Sequence, residues 1–205
     1  MQNKKLLVDY IGVLEVSPQQ INESMAQNEG RLIIQGILQR GSTPNDTAIN
    51  QNGRQYPMDI LKRECDKYKQ VFVAERRALG ELDHPDSSVV NLQNVSHNIL
   101  DLWYEGNDVM GKLEILGTPA GNIAKELIKA NIRLGISSRG LGSVKQIGEG
   151  KVEVQDDFEI VGWDLVSNPS TQGAFVSPLN EGVKPGKSDP YKKINTLISD
   201  ILSVM

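Results

Sequence analysis

Apolar and polar positions along this chain fall into short segments separated by turn residues. Leu6 to Val16 is apolar and β-branched with Gly12 in its middle, the pattern of a strand with or without a bulge. Ser17-Pro18 opens a polar stretch that runs to Gly30. Arg31 to Gln39, RLIIQGILQ, predicts a second strand bent at Gly36. Gly41 to Gln55 is a polar loop holding Asn52-Gly53, a dipeptide suited to a hairpin turn. Pro57 heads a helix whose apolar face is Ile60, Leu61, Cys65 and Tyr68. Val71 to Glu81 starts as a strand, is interrupted by charges and resumes in ALGEL; Pro85 then ends regular structure just after His84.

Val89 to Tyr104 and Val109 to Leu116 predict two strands about a turn at Gly106-Asn107-Asp108. Thr118-Pro119 caps a helix to about Arg133, with Ile123, Leu127, Ile128 and Ile132 on one face. LGISSRGLGS, Leu134 to Ser143, follows and reads as a Gly/Ser turn. Strands come next at Lys151 to Val154 and Phe158 to Val166. EGVKPGKSDP, 181–190, is a linker by composition. After it Ile194, Leu197, Ile198, Ile201 and Leu202 mark an amphipathic tail helix within 191–205. The expected organisation is an α+β domain over 1–180, built around a β-barrel or sandwich, then the linker and the tail.

Composition narrows the function classes. With 205 residues the chain can close one substantial core. A formal net charge of -4 and the lack of a basic stripe argue against nucleic-acid binding. No apolar run approaches the ~20 residues that span a bilayer, and the first residues read as a strand, not a signal peptide. The single cysteine, Cys65, rules out an internal disulfide and fits a reducing compartment. No cofactor motif is present.

The densest candidate chemistry is the Gly/Ser stretch, where Ser137 and Ser138 precede Arg139. A serine nucleophile needs a base, and the chain has two histidines, His84 and His97. His84 lies in a turn before proline and is the better placed; His97 sits within a predicted strand. For an acid to orient the base, Asp83 neighbours His84 but points away along an extended chain, Asp86 lies in the same turn, and Asp164 stands in the apolar strand VGWDLV. His84 with Glu81, Asp83 and Asp86 could instead hold a divalent cation, although no HxH, HExxH or CxxC pattern supports it. Cys65 has no histidine near it in sequence.

GELDHP (80–85) together with GISSRGLGS (135–143) resembles the prohead core proteases of T-even-type tailed phages, distant relatives of the herpesvirus assemblins. NGRQYP (52–57), WYEGNDVMGKLEIL (103–116) and DLVSNPS (164–170) fall in the family order, so the likeness spans nearly all of residues 5–178. The resemblance implies a herpesvirus-protease-like β-barrel surrounded by helices. It implies a serine endopeptidase with His84 as base and Ser137 as nucleophile. Arg139, Ser138 and Gly140 would lie at the oxyanion or substrate. The herpesvirus enzymes use a second histidine as third member; here His97 precedes the serine, which favours Asp164. The resemblance further implies cleavage after glutamate in Leu/Ile-x-Glu-small contexts. LNEG (179–182) supplies a self-cleavage candidate at Glu181-Gly182, with INES (21–24) and IGEG (147–150) inside the domain. Implied partners are scaffold and major capsid proteins inside the prohead in the bacterial cytoplasm, with self-association; no nucleic acid, membrane, metal or cofactor is implied. The alternative is a non-catalytic prohead core component that keeps the fold.

Overall fold

The computed structural model of the chain describes residues 4–13, 18–85, 87–167 and 176–178. Over the described residues the fold is mixed α+β, with three sheets and three α-helices. The strands are β1 (Lys5–Val13), β2 (Leu32–Arg40), β3 (Arg54–Gln55), β4 (Leu79–Glu81), β5 (Val95–Glu105), β6 (Asp108–Ile115), β7 (Gly135–Gly142), β8 (Val144–Gly148), β9 (Lys151–Val154), β10 (Glu159–Val166) and β11 (Val176–Pro178). The helices are α1 (Pro18–Gln27), α2 (Met58–Tyr68) and α3 (Pro119–Lys129). One sheet has the order β1-β7-β10, a second β11-β2-β6-β5-β4, and a third β3-β9-β8. Among the described residues these sheets do not close into one barrel, so the expected barrel gives way to separate packed sheets. The expected linker and tail helix lie outside the described residues.

Local chemistry explains most of the elements. α3 begins as its sequence requires: Thr118 Oγ1 accepts the Gly121 N–H at 3.1 Å and Pro119 opens the first turn. α2 buries Ile60, Leu61, Cys65 and Tyr68, the predicted face. Tyr68 then stacks on Phe72 and meets Trp163 edge-on, with ring centroids 5.2 Å apart. β5 and β6 form the expected hairpin, with Gly106 at φ +62° in its turn.

Three expectations give way. The polar stretch after Ser17 is helical as α1, which buries Ile21 and Ser24 and exposes Gln19, Asn22 and Gln27. The strand start at Val71 is a π-helical turn, Lys69–Val73, continuing α2. The inner face of α3 is Ala120, Gly121, Ala124 and Ile128, with Leu127 partly buried, while Ile123 and Ile132 are exposed; at Gly121 a Cβ would collide with the Leu116 and Ser96 carbonyl oxygens. The Asn52-Gly53 turn does form: Gly53 takes φ +72°, its N–H donates to the Asn50 carbonyl at 2.9 Å, and Ile49 bridges Gln55 antiparallel, while β3 pairs on with β9 in parallel.

β4 joins the two larger sheets. It pairs with β5, and just beyond its end Leu82 bridges Leu165 of β10. The Asp83 N–H donates to the Leu165 carbonyl at 2.7 Å. Gly80 makes the approach possible, since a Cβ there would collide with the Trp163 carbonyl and the His97 ring. His97 is buried at this seam: its Nε2–H donates to the Trp163 carbonyl at 3.1 Å, and Nδ1 accepts from Ser96 Oγ at 2.9 Å. It is thus a packed strand histidine.

Burial lowers the His97 pKa from 6.5 to about 4. The folded chain therefore holds it neutral, whereas the unfolded chain protonates it near 6.5. The stability it contributes is complete above pH 6.5 and is lost as pH falls towards 4, by about 3 kcal/mol in all. Urea midpoints of wild type and His97→Gln at pH 7, 5.5 and 4.5 test this. The gap between them should narrow as pH falls; parallel curves would show that His97 is not the group responsible.

Candidate active site

The Gly/Ser stretch predicted as a turn is a strand, and a central one. β7 lies between β1 and β10, with every residue from Gly135 to Gly140 buried. Its register sets Ser137 opposite Tyr10 of β1 and Asp164 of β10, and Ser138 opposite Asp9 and Trp163. Side chains alternate across a strand, so Ser137 and Arg139 share one face with Asp164 while Ser138 points to the other.

His84 reaches that face from the turn after β4. Asp83 takes a left-handed conformation, φ +67°, and its Oδ1 accepts the His84 N–H at 2.9 Å. Aspartate tolerates this conformation better than most residues. The reversal turns the imidazole inward and leaves Asp83 exposed. Asp86 lies outside the described residues.

Three side chains from three elements meet here. His84 Nδ1 lies 2.8 Å from Asp164 Oδ2, and His84 Nε2 is in hydrogen-bond contact with Ser137 Oγ. With a carboxylate against Nδ1, that nitrogen carries the ring proton and Nε2 faces the hydroxyl. Ser137 Oγ also lies 2.6 Å from the Asp9 carbonyl oxygen, which accepts from it. One hydroxyl proton therefore has two acceptors. Ser137 and Asp164 are wholly enclosed and the His84 side chain is 6% exposed.

Arg139 lies on the acid's side of the histidine and away from the hydroxyl. Its Nε is 2.8 Å from Asp164 Oδ2, and its Nη2 donates to Asp164 Oδ1 and Glu81 Oε1, each at 3.1 Å. Its Nη1 donates to the Ser87 carbonyl at 2.7 Å. The Glu81 N–H donates to Asp164 Oδ1 at 2.9 Å. Gly140 sits mid-strand between Leu7 and Ile160, pressed on Phe158. Arg139, Ser138 and Gly140 thus do not gather about Ser137 Oγ: alternation turns Ser138 away, and the guanidinium is occupied by two carboxylates.

Two contributors escaped sequence reading. The Asp9 carbonyl is a backbone group and carries no sequence signal. Glu81 had one, being an acid at the end of the apolar segment ALGEL, but entered only as a metal candidate. Among the described residues no group of three or more His, Cys, Asp or Glu is arranged to hold a metal. Burial pushes the Cys65 thiol up, away from the thiolate, and removes it as a nucleophile. A cleft of about 410 Å³, lined by Asp9, Gln39, Arg40, Arg54, Tyr56 and their neighbours, includes none of the three meeting side chains. It takes in Asp9, whose carboxylate accepts from Arg54 Nη1 at 2.7 Å and from Tyr56.

A family model described as prohead core protein serine protease matches residues 7–184. The prohead core protein protease of Enterobacteria phage T4 is 37% identical over 152 residues, which cover 72% of this chain and 68% of that protein. The solved structure of the bacteriophage T4 capsid assembly protease superposes with a TM-score of 0.66 at 30% identity, over 80% of this chain and 99% of the other. The chain belongs to the prohead core protein serine protease family.

Proposed function

We propose that this protein is a serine endopeptidase of phage prohead maturation, acting on scaffold and capsid proteins inside the prohead and on itself. The observation that carries the reading is the line Asp164–His84–Ser137, assembled from β10, the turn after β4 and β7. Ser137 Oγ gives its proton to His84 Nε2 as it attacks the scissile carbonyl. Asp164 holds the Nδ1 proton and stabilises the imidazolium. His84 then protonates the leaving amine, and water, deprotonated by the same histidine, releases the acyl group. Arg139 serves the acid here, so the donors that meet the oxyanion come from elsewhere than its guanidinium.

The Asp9 carbonyl competes with His84 for the serine proton, and Ser137 is enclosed. Both features suit a precursor in which β1 holds the nucleophile back until the neighbouring chain shifts. The self-cleavage candidates differ in reach. INES lies on α1, with Ile21 and Ser24 buried, and a helical segment does not present an extended peptide. IGEG is exposed at the β8–β9 turn. Glu181-Gly182 lies outside the described residues. Cleavage there removes the tail and matures the enzyme; cleavage after Glu149 cuts between β8 and β9 and inactivates it.

Mass spectrometry of the full chain, incubated alone and with a Leu-x-Glu-Gly peptide, tests the reading. The expected products end at glutamate, with a self-product ending at Glu181. A folded wild-type chain that cuts neither itself nor the peptide would identify a non-catalytic core component.

A further inference from the structure

The geometry assigns Glu81 as a positioning residue of the proposed active site, acting through Arg139 to set the charge and orientation of Asp164. The inference rests on the assignment of Asp164, His84 and Ser137 above.

Glu81, Arg139 and Asp164 are all wholly enclosed. Burying a charge is costly unless it is paired and hydrogen-bonded. One guanidinium here faces two carboxylates, so the cluster keeps one formal negative charge, and the imidazole of His84 is the group set against it. Had burial alone been served, one carboxylate for one guanidinium would have neutralised the cluster. Glu81 makes the arrangement anionic.

Its hydrogen bonds point the same way. Glu81 Oε1 accepts from Arg139 Nη2 at 3.1 Å and from the Asn91 N–H at 3.0 Å. Its other oxygen, Oε2, is buried and accepts no hydrogen bond among the described residues. A half-satisfied buried carboxylate is a poor device for stability. It is a good one for raising the negative potential beside a base that must become positive in the transition state.

Glu81 also acts by geometry. Its own N–H donates to Asp164 Oδ1, and its side chain turns the Arg139 fork so that Nε and Nη2 meet both oxygens of Asp164. The second end of the fork is held by the Ser87 carbonyl. Asp164 therefore has its plane fixed from β4 and β7, and Oδ2 is left directed at His84 Nδ1. Other titratable groups stand near. His97, behind the Trp163 carbonyl, is held neutral by burial. The Tyr68 hydroxyl is pushed up by burial and then by Asp164, and stays protonated. Asp83 is exposed. Asp9, also enclosed, lies opposite Ser138 on β1, and its carboxylate is held by Arg54 and Tyr56. Among the described residues Glu81 and Arg139 are enclosed acidic and basic residues in hydrogen-bond contact with Asp164.

Glu81→Gln keeps the shape and the Oε1 acceptor and deletes the charge; Glu81→Asp keeps the charge and shortens the reach. The pH profile of kcat/KM is measured for full-length wild type and both variants on a Leu-x-Glu-Gly peptide, with melting temperatures alongside. Removing a negative charge makes protonation of the base less favourable. The acidic limb in Glu81→Gln should therefore move about one pH unit lower. Its kcat should fall on the order of tenfold, since the imidazolium loses support. Glu81→Asp should keep the wild-type limb while kcat falls, because the fork is no longer held square. A Glu81→Gln profile that superposes on wild type overturns the inference, whatever the melting temperature. If Glu81→Gln does not fold, Glu81→Asp decides: wild-type kcat in that variant overturns the inference. A wild type that cuts nothing would instead remove the function beneath it.

Discussion

Ser137→Ala will lower kcat for peptide cleavage on the order of 10⁶-fold, while Ser138→Ala stays within about tenfold of wild type. Adjacent serines on a loop could exchange roles by a small rotation. Adjacent serines in the middle of a central strand cannot. β7 is paired on both sides, and a slip of one residue would turn every side chain of the strand to the opposite face. Arg139 would then leave Asp164, and Ile136 would enter the polar face. Ser138 lies opposite Trp163 and Asp9 on the far side of the sheet, enclosed and out of line with His84. Initial rates on a Leu-x-Glu-Gly peptide give both numbers. Loss of activity in Ser138→Ala with retention in Ser137→Ala would refute the assignment.

Asp164→Asn should be the second largest loss, on the order of 10⁴-fold in kcat. The reason is specific to this carboxylate. Everything that meets it is a donor: the Glu81 N–H and Arg139 Nη2 at Oδ1, His84 Nδ1 and Arg139 Nε at Oδ2. An asparagine must place its NH₂ against one of these pairs whichever way it is turned. Facing His84, it favours the tautomer with the proton on Nε2, which cannot accept from Ser137. Facing Glu81, it breaks the contacts that hold its plane. Stability should fall as well, because two buried donors lose their acceptor. The kinetic defect is separated from the fold by assaying well below the variant's melting temperature. Wild-type kcat in folded Asp164→Asn would remove the residue from the proposed triad.

The fold was legible where side-chain period and local turn chemistry decide it. RLIIQGILQ, the Pro57 helix and the Gly106 turn appear as the sequence predicts, because burial, a proline start and a positive φ each act within a few residues. α1 was hidden because so few of its residues are apolar; Ile21 and Ser24 are enough to seat it. LGISSRGLGS was hidden for the opposite reason. Glycine and serine favour turns locally, and here partners on both sides override that preference. Those partners are strands distant in sequence, so no local window contains the information. The same holds for the site. His84, Ser137 and Asp164 could be singled out from residue types and the family resemblance. Which way Arg139 points depends on strand alternation and on the β7–β10 register, which only the paired sheet defines.

The position of β10 has a consequence in time. The base is complete once β4 and its turn are made, and Ser137 follows 53 residues later. Asp164 comes a further 25 residues beyond Arg139, the cation that fixes it. At 5–20 residues per second a ribosome takes on the order of a few seconds to cross that gap, and β7 cannot be flanked on both sides until it has done so. Under the proposed assignment the nascent chain carries a serine and a histidine with nothing to align them. Translation itself thereby delays the first proteolytic event until the sheet is zipped, and a message that ends before Asp164 yields an inert product.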